Sequence, residues 1–124
     1  MPTVFTEGKR DTEGVLSEAN GQRSRDNIVI ASGAGIVAPM TVLGRITASG
    51  KYVVSENTAS DGSETAVAVN LYGVDATSAD ASVAAIVRDA ELNGNYLTYG
   101  ASRNQDAEKL AARVDLAAEG VIVR

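Results

Sequence analysis

The pattern of apolar and polar positions changes character along the chain. Residues 1–26 are mainly polar and charged, with no sustained period of 2 or 3.6. Their apolar residues include two isolated pairs, Val4-Phe5 and Val15-Leu16. Two interpretations fit this composition equally: a frayed terminus, or a segment that becomes ordered only on a partner and uses the two pairs as anchors. We predict a flexible N-terminal arm over residues 1–26 and a single β-rich domain over residues 27–124.

Short β-branched runs separated by turn residues follow this arm. "NIVIA" (27–31) predicts a strand, and Pro39 marks a turn or strand edge because proline cannot donate to a strand ladder. Tyr52 to Val54 reads as the returning strand of a hairpin. We assign structural turns to six positions: Gly33, Gly35, Pro39, Gly44, Gly50 and Gly62.

Two further segments predict strands. "TAVAVNLYGVDATS" (65–78) alternates with a period of two, which places Val67, Val69 and Leu71 on one face and small residues on the other. The alanine-rich residues 80–94 suit either helix or strand, and their β-branched residues and flanking turn signals favour a strand. The terminal "VIVR" predicts a last strand.

One helix is predicted, in "NQDAEKLAARVDLAAEG" (104–120). Asn104 or Asp106 would cap its start, and Gly120 would end it. Its apolar residues on one face are Ala107, Leu110, Ala111, Val114 and Ala118. The simplest interpretation is an amphipathic lid; alternatively, the face with Arg113, Glu108 and Glu119 could meet another subunit.

Short strands with one helix and no βαβ alternation predict a β-rich α+β fold. We expect a compact barrel-like or β-tulip arrangement of short strands, with the helix near the C-terminus. A chain of 124 residues fits one domain with a core of Val, Ile, Leu and Ala, since it has no Trp and little aromatic content. The absence of cysteine makes association with other subunits a reasonable source of stability.

The charge and the hydropathy of the chain limit the classes of partner that we expect. The net charge of −5 is mixed along the chain, with no basic stripe, so nucleic acid is not an expected partner. No apolar run approaches the roughly 20 residues that span a bilayer, so no membrane partner is expected. The N-terminus also lacks the hydrophobic region of a signal peptide, and we expect synthesis in the cytoplasm.

The residue types offer little catalytic chemistry. A chain without histidine and cysteine lacks the commonest general base and the most reactive nucleophile. Asp75 and Asp80 could be offered as a carboxylate pair, but they read as solvated turn acids. "SGAG" (32–35) matches no phosphate-binding pattern, and "DATSADAS" (75–82) lacks the glycine and glutamate of an EF-hand loop. We therefore predict no enzyme activity, no cofactor and no metal.

Several segments in order resemble one known family. "EGVLSEANGQRSRDNIVIASG", then "APMTVLGRIT" and "SGKYV", then "ETAVAVNLYGVDATSADASVAAIVRDAELNGNYL" resemble the lambda-like bacteriophage head decoration proteins. The resemblance covers about residues 14–97 and is carried by the order of its motifs. Pro39-Met40 departs from the family's usual residues before the "TVLG" turn, and residues 101–124 match only loosely.

The resemblance implies a structural capsid protein. Such a protein forms homotrimers on the outer surface of the phage head, at threefold and quasi-threefold positions, and stabilises the expanded shell against DNA pressure. Its partners would be its own copies and the major capsid protein. The N-terminal arm would order on capsid subunits by strand addition, with Val4, Phe5, Val15 and Leu16 as anchors. The protein would be made in the host cytoplasm and located in the virion.

Two other classes stay open from the residues alone. One is a small soluble β-barrel binding domain with a disordered N-terminus and a ligand held by its turn loops. The other is a major capsid or tail-tube subunit, which the short length and the lack of a long helical spine disfavour.

Overall fold

A computed structural model describes residues 10–124. The elements, in chain order, are β1 (Val15–Glu18), β2 (Arg25–Ile30), β3 (Gly35–Val37), β4 (Val42–Arg45), β5 (Tyr52–Val54), β6 (Ala66–Asn70), β7 (Val74–Ala76), β8 (Ala81–Ile86), β9 (Ala90–Leu92), a 3₁₀ turn (Gly94–Tyr96), α1 (Asp106–Ala118) and β10 (Val121–Val123). The predicted β-rich α+β class with a single C-terminal helix is confirmed for the described part of the chain.

Five strands close into a barrel in the order β2-β5-β4-β6-β8. The long antiparallel pair β2–β8 runs from Arg25 opposite Ile86 to Ile30 opposite Ala81. The predicted hairpin is present, because β5 pairs antiparallel with β4. A short parallel contact between Ile30 and Tyr52 completes the ring. Closure leaves these strands without a free sheet edge along the paired residues.

The barrel depends on a glycine that the sequence pattern misassigned. Gly44 was predicted in a turn but lies within β4. A Cβ atom at this position would lie 1.9 Å from the Ser63 carbonyl oxygen, so the connection before β6 can pass only over a residue without a side chain. The Ser55 hydroxyl donates a 2.8 Å hydrogen bond to the same carbonyl. A close backbone approach, and not a turn, explains this glycine.

The core has two parts that share strand β6. One part contains Ile28, Ile30, Val37, Leu43, Ala68, Ala76, Val83 and Ala85. The other contains Met40, Val42, Ala66, Val69, Leu71, Ile86, Ala90, Leu92, Leu97, Ala112, Leu116 and Val121. Ala68 faces the first part and Val69 the second, so β6 is covered on both sides. The core is aliphatic throughout these residues, as the composition predicts.

A smaller sheet, β1-β9-β10, lies outside the barrel. The predicted strand in residues 80–94 is present as two strands, β8 and β9, and "VIVR" forms β10. β10 runs parallel to β9, whereas β1 is antiparallel to it. The second core cluster connects this sheet and α1 to the barrel.

The orientation of α1 is opposite to the one expected of a lid. The helix buries Ala112 and Leu116 against its neighbours, while Leu110 and Val114 are 60% and 61% exposed. The remaining residues of the predicted apolar face, Ala107, Ala111 and Ala118, are exposed as well. The start was also predicted wrongly: Gln105 occupies the cap position without a side-chain hydrogen bond. Gly120 follows the helix with φ 85°, as expected of a terminating glycine.

Strand pairing begins earlier in the chain than the sequence pattern suggests. β1 and the first two residues of β2 fall within the segment 1–26 that was predicted as an arm. These stretches are too short and too polar to show a period, and their partner β9 lies far along the chain. Only tertiary pairing identifies them as strands.

Candidate binding surface

The described end of the predicted arm is attached to the domain body. The Thr12 amide donates a 3.1 Å hydrogen bond to the Leu71 carbonyl, and the Asn93 amide donates a 2.7 Å bond to the Gly14 carbonyl. A Cβ atom on Gly14 would lie 2.7 Å from the Met40 side chain. Tight packing and backbone bonds therefore fix the chain where it enters β1.

The predicted anchor residues separate into two groups. Val4 and Phe5 lie outside the described residues. Val15 and Leu16 are the first two residues of β1, and Val15 is half-buried against the second core cluster. Leu16 is 52% exposed, next to an irregularity in the pairing between Val15 and Ser17. Leu16 is thus the described anchor residue that is available to a partner.

The outer sheet presents an open edge and an exposed face. β1 stands at one end of the sheet, and along its second edge no strand is paired within residues 10–124. Ser17 and Ile122 lie on either side of Glu91 in register, and Ile122 is partly exposed. An unpaired strand edge exposes amide and carbonyl groups that another chain can pair with. β1 and β10 are both edge strands of this sheet within residues 10–124, and the β1 edge lies where the predicted arm enters the domain.

Ion pairs border this sheet. The Arg25 guanidinium donates two hydrogen bonds to the Glu18 carboxylate, at 2.8 and 2.7 Å, and holds the pKa of that carboxyl below its usual value. Arg124 lies 3.0 Å from Glu91 and likewise lowers the pKa of the Glu91 carboxyl. Each of these two carboxylates is thus paired with an arginine at the border of the sheet.

The two-stranded ribbon β3–β7 carries a further exposed apolar residue. Ile36 is 81% exposed on this ribbon. Gly33 and Gly35 precede it with φ 92° and 81°, and the Gly33 amide donates to the Ala76 carbonyl at 2.8 Å. Pro39 lies in the turn that leads from the ribbon to β4. Gly50 and Gly62 also adopt positive φ, in the connections on either side of β5.

An open depression of about 640 Å³ lies beside β2 and the turn before β5. Asp26, Lys51 and Asp80 are among its lining residues. Lys51 is 2.7 Å from Asp80, and Arg88 is 2.8 Å from Asp26, so each of these carboxylates is engaged in an ion pair.

Within residues 10–124, no group of three or more acidic residues is arranged to hold a metal ion. No helix in that part of the chain is long and apolar enough to cross a membrane. Sequence reasoning missed the exposure of the apolar stripe on α1, although the spacing of its apolar residues identified the stripe itself.

Comparison with known proteins identifies the family. The family model described as bacteriophage lambda head decoration protein D matches residues 4–121, which is nearly the whole chain. No curated protein gives a significant match to the chain. The family match extends beyond the segments that carry the resemblance, because it includes residues 4–13 and α1 with the start of β10. The chain therefore belongs to the bacteriophage lambda head decoration protein D family.

Proposed function

We propose that this protein assembles as a homotrimer on the outer surface of the expanded phage capsid, at threefold and quasi-threefold positions. There it stabilises the shell against the pressure of the packaged DNA. The N-terminal segment orders on capsid subunits by adding a strand. Membership of a structural head decoration family, through a match over residues 4–121, is the observation that carries this proposal.

The open edge of β1 supports the strand-addition part of the proposal. The chain enters β1 beside an edge that is unpaired within residues 10–124, and Leu16 is exposed there. Strand addition gains affinity from main-chain hydrogen bonds and requires few specialised side chains. That requirement suits a segment whose apolar content includes the pairs Val4-Phe5 and Val15-Leu16.

Three arms on one trimer make weak individual contacts sufficient. After the first arm has bound, the second and third bind intramolecularly, and such linkage raises avidity by roughly 10²- to 10⁴-fold. Ordering a backbone residue costs about 1–2 kcal/mol, so a single arm alone gains little net affinity. Binding is therefore favoured where the capsid lattice presents several arm sites together.

A pair of truncations tests the proposed arm. Removal of residues 1–9 leaves β1 and its bonds to the body in place, so we expect a folded protein that no longer sediments with expanded heads lacking decoration protein. Removal of residues 1–18 also deletes β1 and uncovers β9, so we expect lower thermal stability as well. Circular dichroism would measure folding, and co-sedimentation would measure head binding.

A matched pair of full-length variants controls for chain length. Val4→Asp with Phe5→Asp places two charges on the proposed anchors, and we expect loss of head binding. Thr3→Asp with Thr6→Asp adds the same charge to the flanking polar positions, and we expect binding to be largely kept. Unchanged head binding by both the 1–9 truncation and the Val4/Phe5 variant would contradict the arm proposal.

A further inference from the structure

A continuous apolar stripe runs along the solvent side of α1. Its residues are Ala107, Leu110, Ala111, Val114, Ala117 and Ala118, all of them exposed. Their spacing alternates between three and four, which keeps them on one face of a helix with 3.6 residues per turn. The opposite face packs against β6 and β10 through Ala112 and Leu116. The helix thus has one apolar face that is covered and one that is open.

The two borders of this stripe carry opposite charge. On the helical wheel, Asp115, Glu108 and Glu119 follow one side of the stripe, and Arg113 and Lys109 follow the other. Asp106 also lies on the basic side, but at the N-terminus of the helix, where a negative charge is favourable to the helix dipole. The stripe is therefore bordered by an acidic edge and a mainly basic edge.

The opposite charges of the two borders indicate which partner can pack against the stripe. When parallel helices pack around a rotation axis, one edge of each helix meets the opposite edge of its neighbour. The basic edge of one copy would then face the acidic edge of the next. An antiparallel pair would instead place like edges together, which is unfavourable. Asp115 also accepts a 3.2 Å hydrogen bond from the Ala66 amide, and Arg113 donates a 3.0 Å hydrogen bond to the Tyr99 hydroxyl, so contacts within the chain hold a side chain on each border. Borders fixed in this way fit another copy of this chain in the parallel orientation.

The shape of the basic edge agrees with this arrangement. A shallow depression of about 280 Å³ is lined by Asp106, Lys109, Leu110 and Arg113. A neighbouring side chain can enter it and contact Leu110 at its apolar side. The alanines of the stripe allow two helix backbones to approach closely, because packing distance between helices depends on side-chain size.

We propose that the exposed stripe of α1 is the surface through which copies of this chain associate, with parallel helices around a common axis and with Leu110 and Val114 at the centre of the contact. This inference rests on the homotrimer of the proposed function and assigns its interface. The charged borders set the orientation, and the apolar stripe supplies the burial that stabilises the assembly.

Cross-linking tests the orientation, since the chain contains no cysteine that could react elsewhere. Val114→Cys and Ala118→Cys should form covalent dimers under mild oxidation. The matched control is Ile36→Cys, on the exposed β3–β7 ribbon. Cysteines held in a shared interface experience roughly millimolar effective concentration, so at micromolar protein we expect cross-linking about 10³-fold faster than in the control. An antiparallel contact would cross-link at Val114→Cys and fail at Ala118→Cys, which would overturn the inferred geometry.

Charge insertion tests the interface itself. Leu110→Asp with Val114→Asp should reduce the mass measured by light scattering from three chains to one, while Ile36→Asp should leave it unchanged. Both replaced side chains are exposed in the single chain, so circular dichroism should show a folded protein. If the double variant does not fold, the cysteine variants decide the question.

The outcomes separate this inference from the proposed function. A double variant that stays trimeric and binds heads would overturn the α1 interface and leave the decoration role intact. A wild-type chain that is monomeric in solution, with cysteine variants that do not cross-link on heads, would overturn both the interface and the homotrimer. Head binding by such a monomer would still support a decoration role.

Discussion

The closed barrel and the outer sheet with α1 differ in how much of their strand edges and apolar side chains is left exposed. Strands β2, β5, β4, β6 and β8 pair in a ring, and Leu43, Val42 and Ile30 are fully buried. In the outer region, β1 has an edge unpaired within residues 10–124, and Leu16 and the α1 stripe are exposed. The barrel pairs its strands in a ring and buries most of its apolar side chains, whereas the outer region leaves backbone and apolar groups available to partners.

This difference indicates that the two regions of the domain have different roles, one in stability and one in association. Closed strands and buried aliphatic residues stabilise the fold without any partner. An open strand edge and an exposed apolar stripe contribute to stability only when another chain covers them. Mutations in the two regions should therefore affect different measurements: unfolding in the barrel, and association in the outer region.

The largest expected effect comes from Arg103, which joins the two regions. Its side chain is 1% exposed and donates hydrogen bonds to the carbonyls of Ser55, Glu64 and Glu108, and to the Ser55 hydroxyl. Arg103→Met would remove these hydrogen bonds from largely buried acceptors. We expect the free energy of unfolding to fall by about 4 kcal/mol. Urea unfolding followed by circular dichroism would measure it.

Arg45→Met is the matched control, because the Arg45 side chain is exposed and its hydrogen bond to the Gly50 carbonyl is long, at 3.4 Å. We expect a change of less than about 0.5 kcal/mol for this variant. All samples should be compared at equal protein concentration, since association contributes to apparent stability. Equal losses in both variants would contradict the role given to Arg103 in linking α1 to the barrel.

Substitution of two leucines, one in the barrel and one in the outer sheet, compares the stability contributions of the two regions. Leu43 is fully buried in the barrel, and Leu16 is 52% exposed on β1. Leu43→Ala should lower the free energy of unfolding by about 3 kcal/mol, because it removes buried apolar contacts and leaves a cavity. Leu16→Ala should change it by less than about 0.5 kcal/mol and should weaken head binding. The reverse order of stability effects would contradict the assignment of the two regions.

The smallest expected effect concerns the segment that leads into α1. Burial raises the pKa of the Glu56 carboxyl, but hydrogen bonds from the Ser102 hydroxyl and the Ser102 and Ala101 amides outweigh it, so the pKa lies below the ordinary 4.5. A carboxyl with a lowered pKa contributes stability above its unfolded pKa and loses it as the pH falls through the folded pKa. Glu56→Gln should cost about 1 kcal/mol at pH 7.

The pH dependence provides the check on Glu56. The stability difference between wild type and Glu56→Gln should be constant at neutral pH and should shrink as the pH falls below 4.5. Taking the difference removes the common effect of other carboxyls with lowered pKa, such as Glu18 and Glu91. A difference that does not change between pH 7 and pH 3 would contradict a stabilising charge on Glu56.

Most elements with a local signal could be predicted from the sequence. The hairpin that returns at Tyr52, the strands in residues 65–94 and the helix before Gly120 all follow from period, turn residues and β-branched content. Gly44 shows the limit of such reasoning, since its role depends on Ser63, nineteen residues later in the sequence. β1 shows the same limit, because its partner β9 is distant in the chain.

The candidate surface could be predicted only in part. Apolar pairs in a polar segment indicated Val15 and Leu16, and the structure places both in β1, with Leu16 exposed. The apolar stripe of α1 was also visible in the spacing of its residues. Its exposure was not, because periodicity identifies an apolar face without saying what covers it. Arg103 gave no signal at all, since nothing in its neighbours predicts a buried cation.

The sequence by itself determined the class of the fold, the aliphatic nature of the core and the family, because composition, local period and motif order are properties of the chain alone. Tertiary structure decided which strands close the barrel and which edge stays open. It also decided that α1 turns Ala112 and Leu116 inward and its longer apolar stripe outward. The physical reason is that burial depends on contacts between residues far apart in sequence, and local pattern records only the residues that could be buried.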